Sequence, residues 1–385
     1  MDYKLKEPIC KLGVWDSTVP GISFDEDGIS NYAKVQLKLM KDFSRGEKGK
    51  RDWEKIVSAM KKAGKNKKYD CIMGVSGGTD SSYLLHLSKE YNLRVLAINI
   101  DNGFNSDIAV KNIKKVTSKL DIDFFTYVIE YEEIKDILKT YMKASLPWID
   151  SPSDLAIKST LFKIAHKKGI SYILSGTDFR SEGMQPNEWT YSDVKQLKYL
   201  QKKYGSAVFD SYPYLNLVQL LYLSRTKGIK RILPFNYIDY QKKKAQAFLN
   251  NEYGWDYYGG HHHENAFTKF TIGYWLPYKF GIDKRKITLS AQILSGEITK
   301  ETALKQLERP AIEKDEAENL KQYIIKKLDI GIEEFNKIWE SPNKFYYDYP
   351  NNYEILVKYK NIAEKLLNKA YTSRPKSFYQ IDMRS

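Results

Sequence analysis

Apolar positions along this chain follow two alternating rhythms. Four short, mainly apolar runs, at 69–75 (YDCIMGV), 94–100 (RVLAINI), 124–129 and 171–174 (SYIL), have strand length and read as buried strands, and the mixed run at 229–233 reads as a fifth strand. Between them apolar residues recur at helical spacing, over 81–90, 107–120, 131–144 and 154–168. Strands alternating with helices predict an α/β fold with a doubly wound parallel sheet. Right-handed crossovers then bring the C-terminal ends of the strands to one edge, where such folds bind ligands. An entry region, 1–68, contains a basic helical stretch at 53–63 and closes on Gly64-Lys65-Asn66-Lys67-Lys68. Beyond about residue 236 the pattern turns mostly helical, with helices expected at 298–307 and 315–328 and loops rich in Tyr, Trp and Gly. The expected organisation is an N-terminal extension (1–68), an α/β domain (69–235) and a mostly helical C-terminal region (236–385).

Composition narrows the setting. Apolar residues make up 42% of the 385, enough for a core. Two cysteines, Cys10 and Cys71, exclude a disulfide framework and suit a reducing, cytoplasmic compartment. The first residues carry no apolar core of a secretory signal. The longest apolar stretch, near 215–223, is about half of what a bilayer span needs, so no membrane insertion is expected. The net charge of +14 would suit nucleic acid, but the lysines are spread along the chain, which reads as surface solvation. A basic cleft for small anions, such as ATP and a phosphorylated or acidic sugar, is compatible with it. No nucleic-acid partner is expected.

The chemistry is concentrated in Ser76-Gly77-Gly78-Thr79-Asp80-Ser81, between the first strand and the next helix. Glycines there permit torsions closed to other residues and close approach of a ligand. Successive N–H groups and a helix N-terminus can face a pyrophosphate. Ser76 and Ser81 add hydroxyl donors. Asp80 would be repelled by phosphate and is expected to hold Mg²⁺. The string lacks the lysine of a GxxxxGK[ST] loop, which argues against γ-phosphate transfer. An ordinary strand-to-helix turn also favours Gly, Ser and Asp, but the six-residue string in this context favours the chemical reading.

The string resembles the PP-loop of ATP-pyrophosphatases, a superfamily with a HUP-like fold that includes GMP, NAD and asparagine synthetases and tRNA-modifying enzymes. The resemblance implies cleavage of ATP between its α- and β-phosphates and transfer of AMP to a substrate oxygen. It implies catalytic roles for Asp80, Ser76 and Ser81, and ATP contacts from the whole loop. It further implies adenosine contacts from the segment holding Asp101 and Gly103, and a second nucleotide and Mg²⁺ site at Ser175-Gly176-Thr177-Asp178, with Gly176 and Thr177 on the nucleotide and Asp178 on the metal.

Nearly the whole chain is similar to the N-acetyl sugar amidotransferase family, which makes acetamidino sugars for bacterial surface polysaccharide, including O-antigen, and for nonulosonic acids. The matching stretches are Ile22-Ser23-Phe24-Asp25-Glu26-Asp27-Gly28, the loop itself, Asp101-Asn102-Gly103-Phe104-Asn105-Ser106, Ile173-Leu174-Ser175-Gly176, Asn236-Tyr237-Ile238-Asp239-Tyr240, Tyr258-Gly259-Gly260, His262, Glu264, Phe267-Thr268-Lys269-Phe270 and Lys279-Phe280-Gly281-Ile282-Asp283-Lys284-Arg285. The resemblance implies adenylation of an acetamido oxygen, attack by ammonia, and release of AMP and pyrophosphate. The ammonia would come from a HisH-like glutaminase acting with a HisF-like protein. Asp154, His262, Glu264 and Lys269 are candidate substrate residues. The run His261-His262-His263-Glu264 suggests a metal, but adjacent side chains seldom converge on one ion. The family carries two CxxC pairs near its N-terminus; here they read Cys10-Lys11-Leu12-Gly13 and Ser30-Asn31-Tyr32-Ala33, so no zinc is expected. The competing readings are a tRNA-modifying enzyme of the same superfamily and a non-catalytic scaffold.

Overall fold

The computed structural model describes residues 5–208, 210–260, 263–367 and 376–383. Its centre is a five-stranded, wholly parallel sheet: β1 (Cys71–Gly74), β2 (Val95–Asp101), β3 (Asp123–Val128), β4 (Tyr172–Leu174) and β5 (Lys230–Ile232), in the order β3-β2-β1-β4-β5. Ile72 of β1 pairs with Leu96 of β2 on one side and Ile173 of β4 on the other. The expected α/β architecture is therefore present.

Alternation along β1 sorts the two faces. Cys71 and Met73 join a core with Trp53 and Met60 of α2 (Gly46–Gly64), which follows α1 (Asn31–Asp42), with Leu84 and Leu85 of α3 (Thr79–Glu90), and with Ile113 and Val116 of α4 (Asp107–Lys119). Ile72 faces the opposite layer, where Leu161, Phe162 and Ala165 of the helix Ser151–Lys167 cover it. The chain moves outward from β1 to β3, then crosses back to place β4 on β1's free side. The order thus reverses between β1 and β4, and the loops after these strands flank that crevice.

Later residues are not peripheral to this core. Tyr240, Ala245, Leu249 and Trp255 are buried in the layer that holds α3 and α4. Phe267, Phe270, Trp275, Ile324 and Phe335 form a third cluster with Ile134, Ile137 and Leu138 of the helix Tyr131–Lys143. The helices expected at 298–307 and 315–328 occur as Lys300–Leu307 and Lys314–Lys327. Among the elements that were not expected, Thr271–Phe280 is a wide, π-type helix with Pro277 inside it. Gly273 and Pro277 lower the helix signal there, and a wider turn accommodates the hydrogen bond that proline cannot donate.

The N-terminal segment is held by local hydrogen bonds around Cys10 and Ser30. The Ser30 hydroxyl accepts from Ala33 N at 3.1 Å and caps the helix Asn31–Asp42, while Ser30 N donates to Cys10 Sγ at 3.3 Å. A side chain at Gly13 would begin 2.6 Å from the Trp15 ring, so Trp15 fills the space a thiol would need. A buried ion pair, Lys286 Nζ to Asp16 Oδ2 at 2.6 Å, ties this segment to the helix Arg285–Leu294. No described helix is long and apolar enough to cross a membrane.

Candidate active site

Gly77 carries the turn after β1. Its φ is +76°, in the left-handed region, and a Cβ there would stand 2.2 Å from the Ala109 carbonyl oxygen. The Gly77 carbonyl accepts from the Trp255 indole at 2.9 Å. Gly78, at φ −72° and ψ 167°, is the N-cap of α3 and has no side chain to offer. The Ser76 hydroxyl lies 3.4 Å from that of Ser81 and accepts from Gly78 N at 3.3 Å. Serine hydroxyls, loop N–H groups and the first turn of α3 thus gather in one place, the arrangement that receives anionic oxygens.

Asp80 does not act as a cap. Its Oδ1 accepts from the Tyr240 hydroxyl and its Oδ2 from Lys242 Nζ at 3.0 Å. Burial pushes the Lys242 ammonium down, but the Asp80 carboxylate outweighs this and holds it above the usual lysine range. Gly176, after β4, packs onto the same turn: a Cβ there would stand 3.1 Å from the Asp80 carbonyl carbon. Ser175 and Thr177 hydroxyls both receive Arg231 Nη2, at 2.8 and 3.1 Å. Asp178 is fully buried; its Oδ1 accepts from Arg180 N, and Oδ2, without a hydrogen bond, stands 3.7 Å from Arg45. Arg45, Arg231, Tyr240, Lys242 and Glu297, none of them singled out by spacing, complete the charge constellation.

Burial pushes the Asp178 carboxyl up to about 6, against the pull of Arg45. Burial likewise pushes Glu297 up to about 7, with the Asp178 charge adding to it. Both folded values lie above the ordinary ones, so the unfolded chain loses these protons first. Stability that is full below about pH 4 is lost as pH rises through 6 to 7. Without nucleotide or divalent cation, urea unfolding is expected to show a fall of about 3 kcal/mol from Asp178 alone over that window. Asp178→Asn is expected to flatten much of the slope; an unchanged slope would remove Asp178 as its source.

The hard oxygen donors of Asp80 and Asp178 suit Mg²⁺, and the buried Asp178 Oδ2 is the kind of atom a cation satisfies. Asp80 would divide its carboxylate between that cation and Lys242. Among the described residues no three His, Cys, Asp or Glu side chains gather to hold a metal ion. A bound Mg²⁺ would therefore draw its remaining ligands from phosphate and water.

Other expected residues fall around this centre. Asp101 Oδ1 accepts from Gly103 N at 2.8 Å and shapes the turn after β2, where Gly103 has φ +82°. The segment 264–266 is stitched to that turn: Ser106 N donates to the Glu264 carbonyl and Ala266 N to that of Phe104, at 2.9 and 2.8 Å. This sets the Glu264 carboxylate on the loop, where it accepts from the Ser76 hydroxyl at 3.3 Å, and Tyr258 OH accepts from Thr79 N at 3.2 Å. Lys269 lies farther out, paired with Glu316. Asp154 accepts from the Trp148 indole at 2.8 Å. His262 lies outside the described residues.

Residues 264–365 match the family described as LPS biosynthesis protein WbpG-like, C-terminal domain. An uncharacterized protein of Methanocaldococcus jannaschii is 22% identical over 295 residues, 74% of this chain and 88% of that one. The tRNA(Ile)-lysidine synthase of Clostridium tetani is 40% identical over 72 residues, 17% of this chain and 15% of its own. Among solved structures, NMN synthetase from Francisella tularensis aligns over 77% of this chain and 99% of its own at 12% identity, with a TM-score of 0.37.

Proposed function

We propose that this protein is an ATP-dependent amidotransferase that converts the acetamido group of a bacterial N-acetyl sugar to an acetamidino group, releasing AMP and pyrophosphate. The observation that carries the reading is the loop Ser76–Ser81 at the reversal of strand order, glycine-turned, without a P-loop lysine, and closed over by a segment that leads into a WbpG-like LPS biosynthesis domain.

In this reading the acetamido oxygen attacks the α-phosphorus of ATP and the bond to the bridging oxygen breaks, so pyrophosphate leaves. Loop N–H groups, Ser76 and Ser81 hold the phosphates. Lys242 and Arg231 place positive charge near the departing pyrophosphate, where fixed charge lowers the barrier most. Mg²⁺, held by Asp80 and Asp178, would add further neutralisation of the phosphates. Ammonia then adds to the activated carbon, the C–O bond breaks, and AMP departs carrying the amide oxygen. The amide oxygen is a poor leaving group until it carries AMP. Both cysteines are buried, and burial pushes the Cys71 thiol well above its usual range. Neither is placed as a glutaminase nucleophile, which supports ammonia from a partner glutaminase.

The test uses an N-acetyl sugar labelled with heavy oxygen in its acetamido group, with ATP, Mg²⁺ and ammonium. The label is expected in AMP, and the sugar is expected to be lighter than unlabelled starting material by about one unit, as O is replaced by NH. ADP and phosphate as stoichiometric products would overturn the assignment. The short match to a tRNA(Ile)-lysidine synthase and the net charge of +14 favour, as a second reading, adenylation of a tRNA. A salt-sensitive tRNA complex with tRNA-dependent AMP release, and none with sugars, would select it.

A further inference from the structure

We infer that the cavity walled by Tyr258, Lys269, Glu313 and Glu316 is the acceptor subsite, and that it takes a single amino-sugar ring through hydroxyl and amide N–H donors. The inference rests on the reading of the protein as a sugar-modifying adenylating enzyme and names where that sugar sits.

Three properties of the cavity carry it. The first is size: its volume is ≈ 290 Å³, at the bottom of the range of about 300–1,000 Å³ typical of small-molecule sites. That volume suits one pyranose ring with its substituents and leaves any carrier nucleotide or lipid outside. The second is lining. Glu313 and Glu316 supply acceptor oxygens, and Lys269 is already neutralised by Glu316. Ionised carboxylates accept only, so they call for a ligand rich in O–H and N–H donors and disfavour a phosphate. The other wall, Pro310 to Ile312 with the Tyr258 ring, is apolar and suits the C–H face of a sugar. Ile312 is itself fixed, since a Cβ on Gly273 would stand 2.6 Å from it.

The third is position. Tyr258 belongs to both sites. It lines the cavity, and its hydroxyl accepts from Thr79 N inside the loop Ser76–Ser81. Tyr258 therefore sets the cavity beside the loop, so that a sugar ring bound in it would be a neighbour of the phosphates. Holding two reactants as neighbours is what makes transfer between them effectively unimolecular.

The experiment uses the full chain and two variants, Ala311→Trp, which fills the cavity, and Glu316→Gln, which replaces an acceptor-only group. The probes are methyl glycosides of mono- and diacetamido hexoses, followed by saturation-transfer NMR, with ATP binding measured separately by calorimetry. Wild-type protein is expected to transfer magnetisation to the acetamido methyl and ring protons. Ala311→Trp is expected to abolish that transfer, and Glu316→Gln to weaken sugar binding about tenfold, while ATP affinity stays within about twofold. If the wild type binds and converts an N-acetyl sugar but Ala311→Trp binds it normally, the subsite is wrong and the reaction stands. If the wild type binds none of the probes, both the subsite and the sugar reading fall. Equal loss of ATP binding in Ala311→Trp would make the cavity part of the nucleotide site and overturn the inference.

Discussion

Asp80→Asn is expected to lower the rate of AMP formation by a factor on the order of 10²–10³, the effect of losing one transition-state contact of about 3–4 kcal/mol. It is also expected to cost the fold about 3 kcal/mol. From the sequence, Asp80 stands in the first turn of a helix, where asparagine substitutes at little cost. The structure changes that expectation, because Gly78 occupies the cap and the Asp80 carboxylate instead holds Tyr240 and Lys242. Lys242 is well buried, and removing its counter-charge strands an ammonium away from water. The two effects separate in a double variant. Asp80→Asn with Lys242→Met is expected to return to within about 1 kcal/mol of wild-type stability, since an apolar group of similar length replaces the stranded charge. Its activity is expected to stay lost. Urea melts and a pyrophosphate-release assay on the same preparations decide it. An Asp80→Asn protein with near-normal turnover would reduce the carboxylate to a partner for Lys242 and end its role at the phosphates.

The parts of the site that were legible in the sequence are those fixed by neighbouring residues. The loop Ser76–Ser81 is local, bounded by a strand whose apolar run is uninterrupted and a helix with ordinary periodicity, so both its place and its backbone demands could be read. Ser30 and Asp101 likewise act within a few residues of themselves, on Ala33 N and Gly103 N. The groups that hold the loop in place are different. Tyr240, Lys242, Trp255 and Glu264 meet it across separations of 160, 162, 178 and 188 residues. No periodicity encodes such a pairing, because each of those residues sits in a segment with its own unremarkable local reason to exist. Arg45 and Glu297 illustrate the same limit, reaching the end of β4 from the entry region and from beyond the helix Arg285–Leu294. Glu264 could be singled out by resemblance as a substrate residue, yet its carboxylate lies on the phosphate loop, a placement set by main-chain bonds to Phe104 and Ser106.

The two adjacent glycines of the loop are expected to fail in opposite ways. Gly77→Ala should cost about 2–5 kcal/mol of stability, combining the left-handed torsion and overpacking. Its φ is +76°, and the new methyl would lie 2.2 Å from the Ala109 carbonyl, a backbone atom in the first turn of α4 that cannot rotate away. Relief would have to move the loop, and with it the carbonyl that receives Trp255. Gly78→Ala meets no such obstacle. At φ −72° alanine is relaxed, and the neighbours of its methyl, at 3.0–3.1 Å, are the ends of the Glu264, Ser76 and Tyr258 side chains. Its stability is expected within about 1 kcal/mol of wild type, since the loss of unfolded-state freedom offsets mild crowding. The methyl, however, projects among the groups that face the phosphates, so ATP affinity should fall about tenfold or more by blocked approach of the ligand to the main chain. Urea denaturation and ATP calorimetry on both variants provide the comparison. A Gly77→Ala protein as stable as wild type would mean that the turn has a second conformation open to L-residues. A Gly78→Ala protein with unchanged ATP affinity would place the nucleotide phosphates elsewhere than over this face of α3.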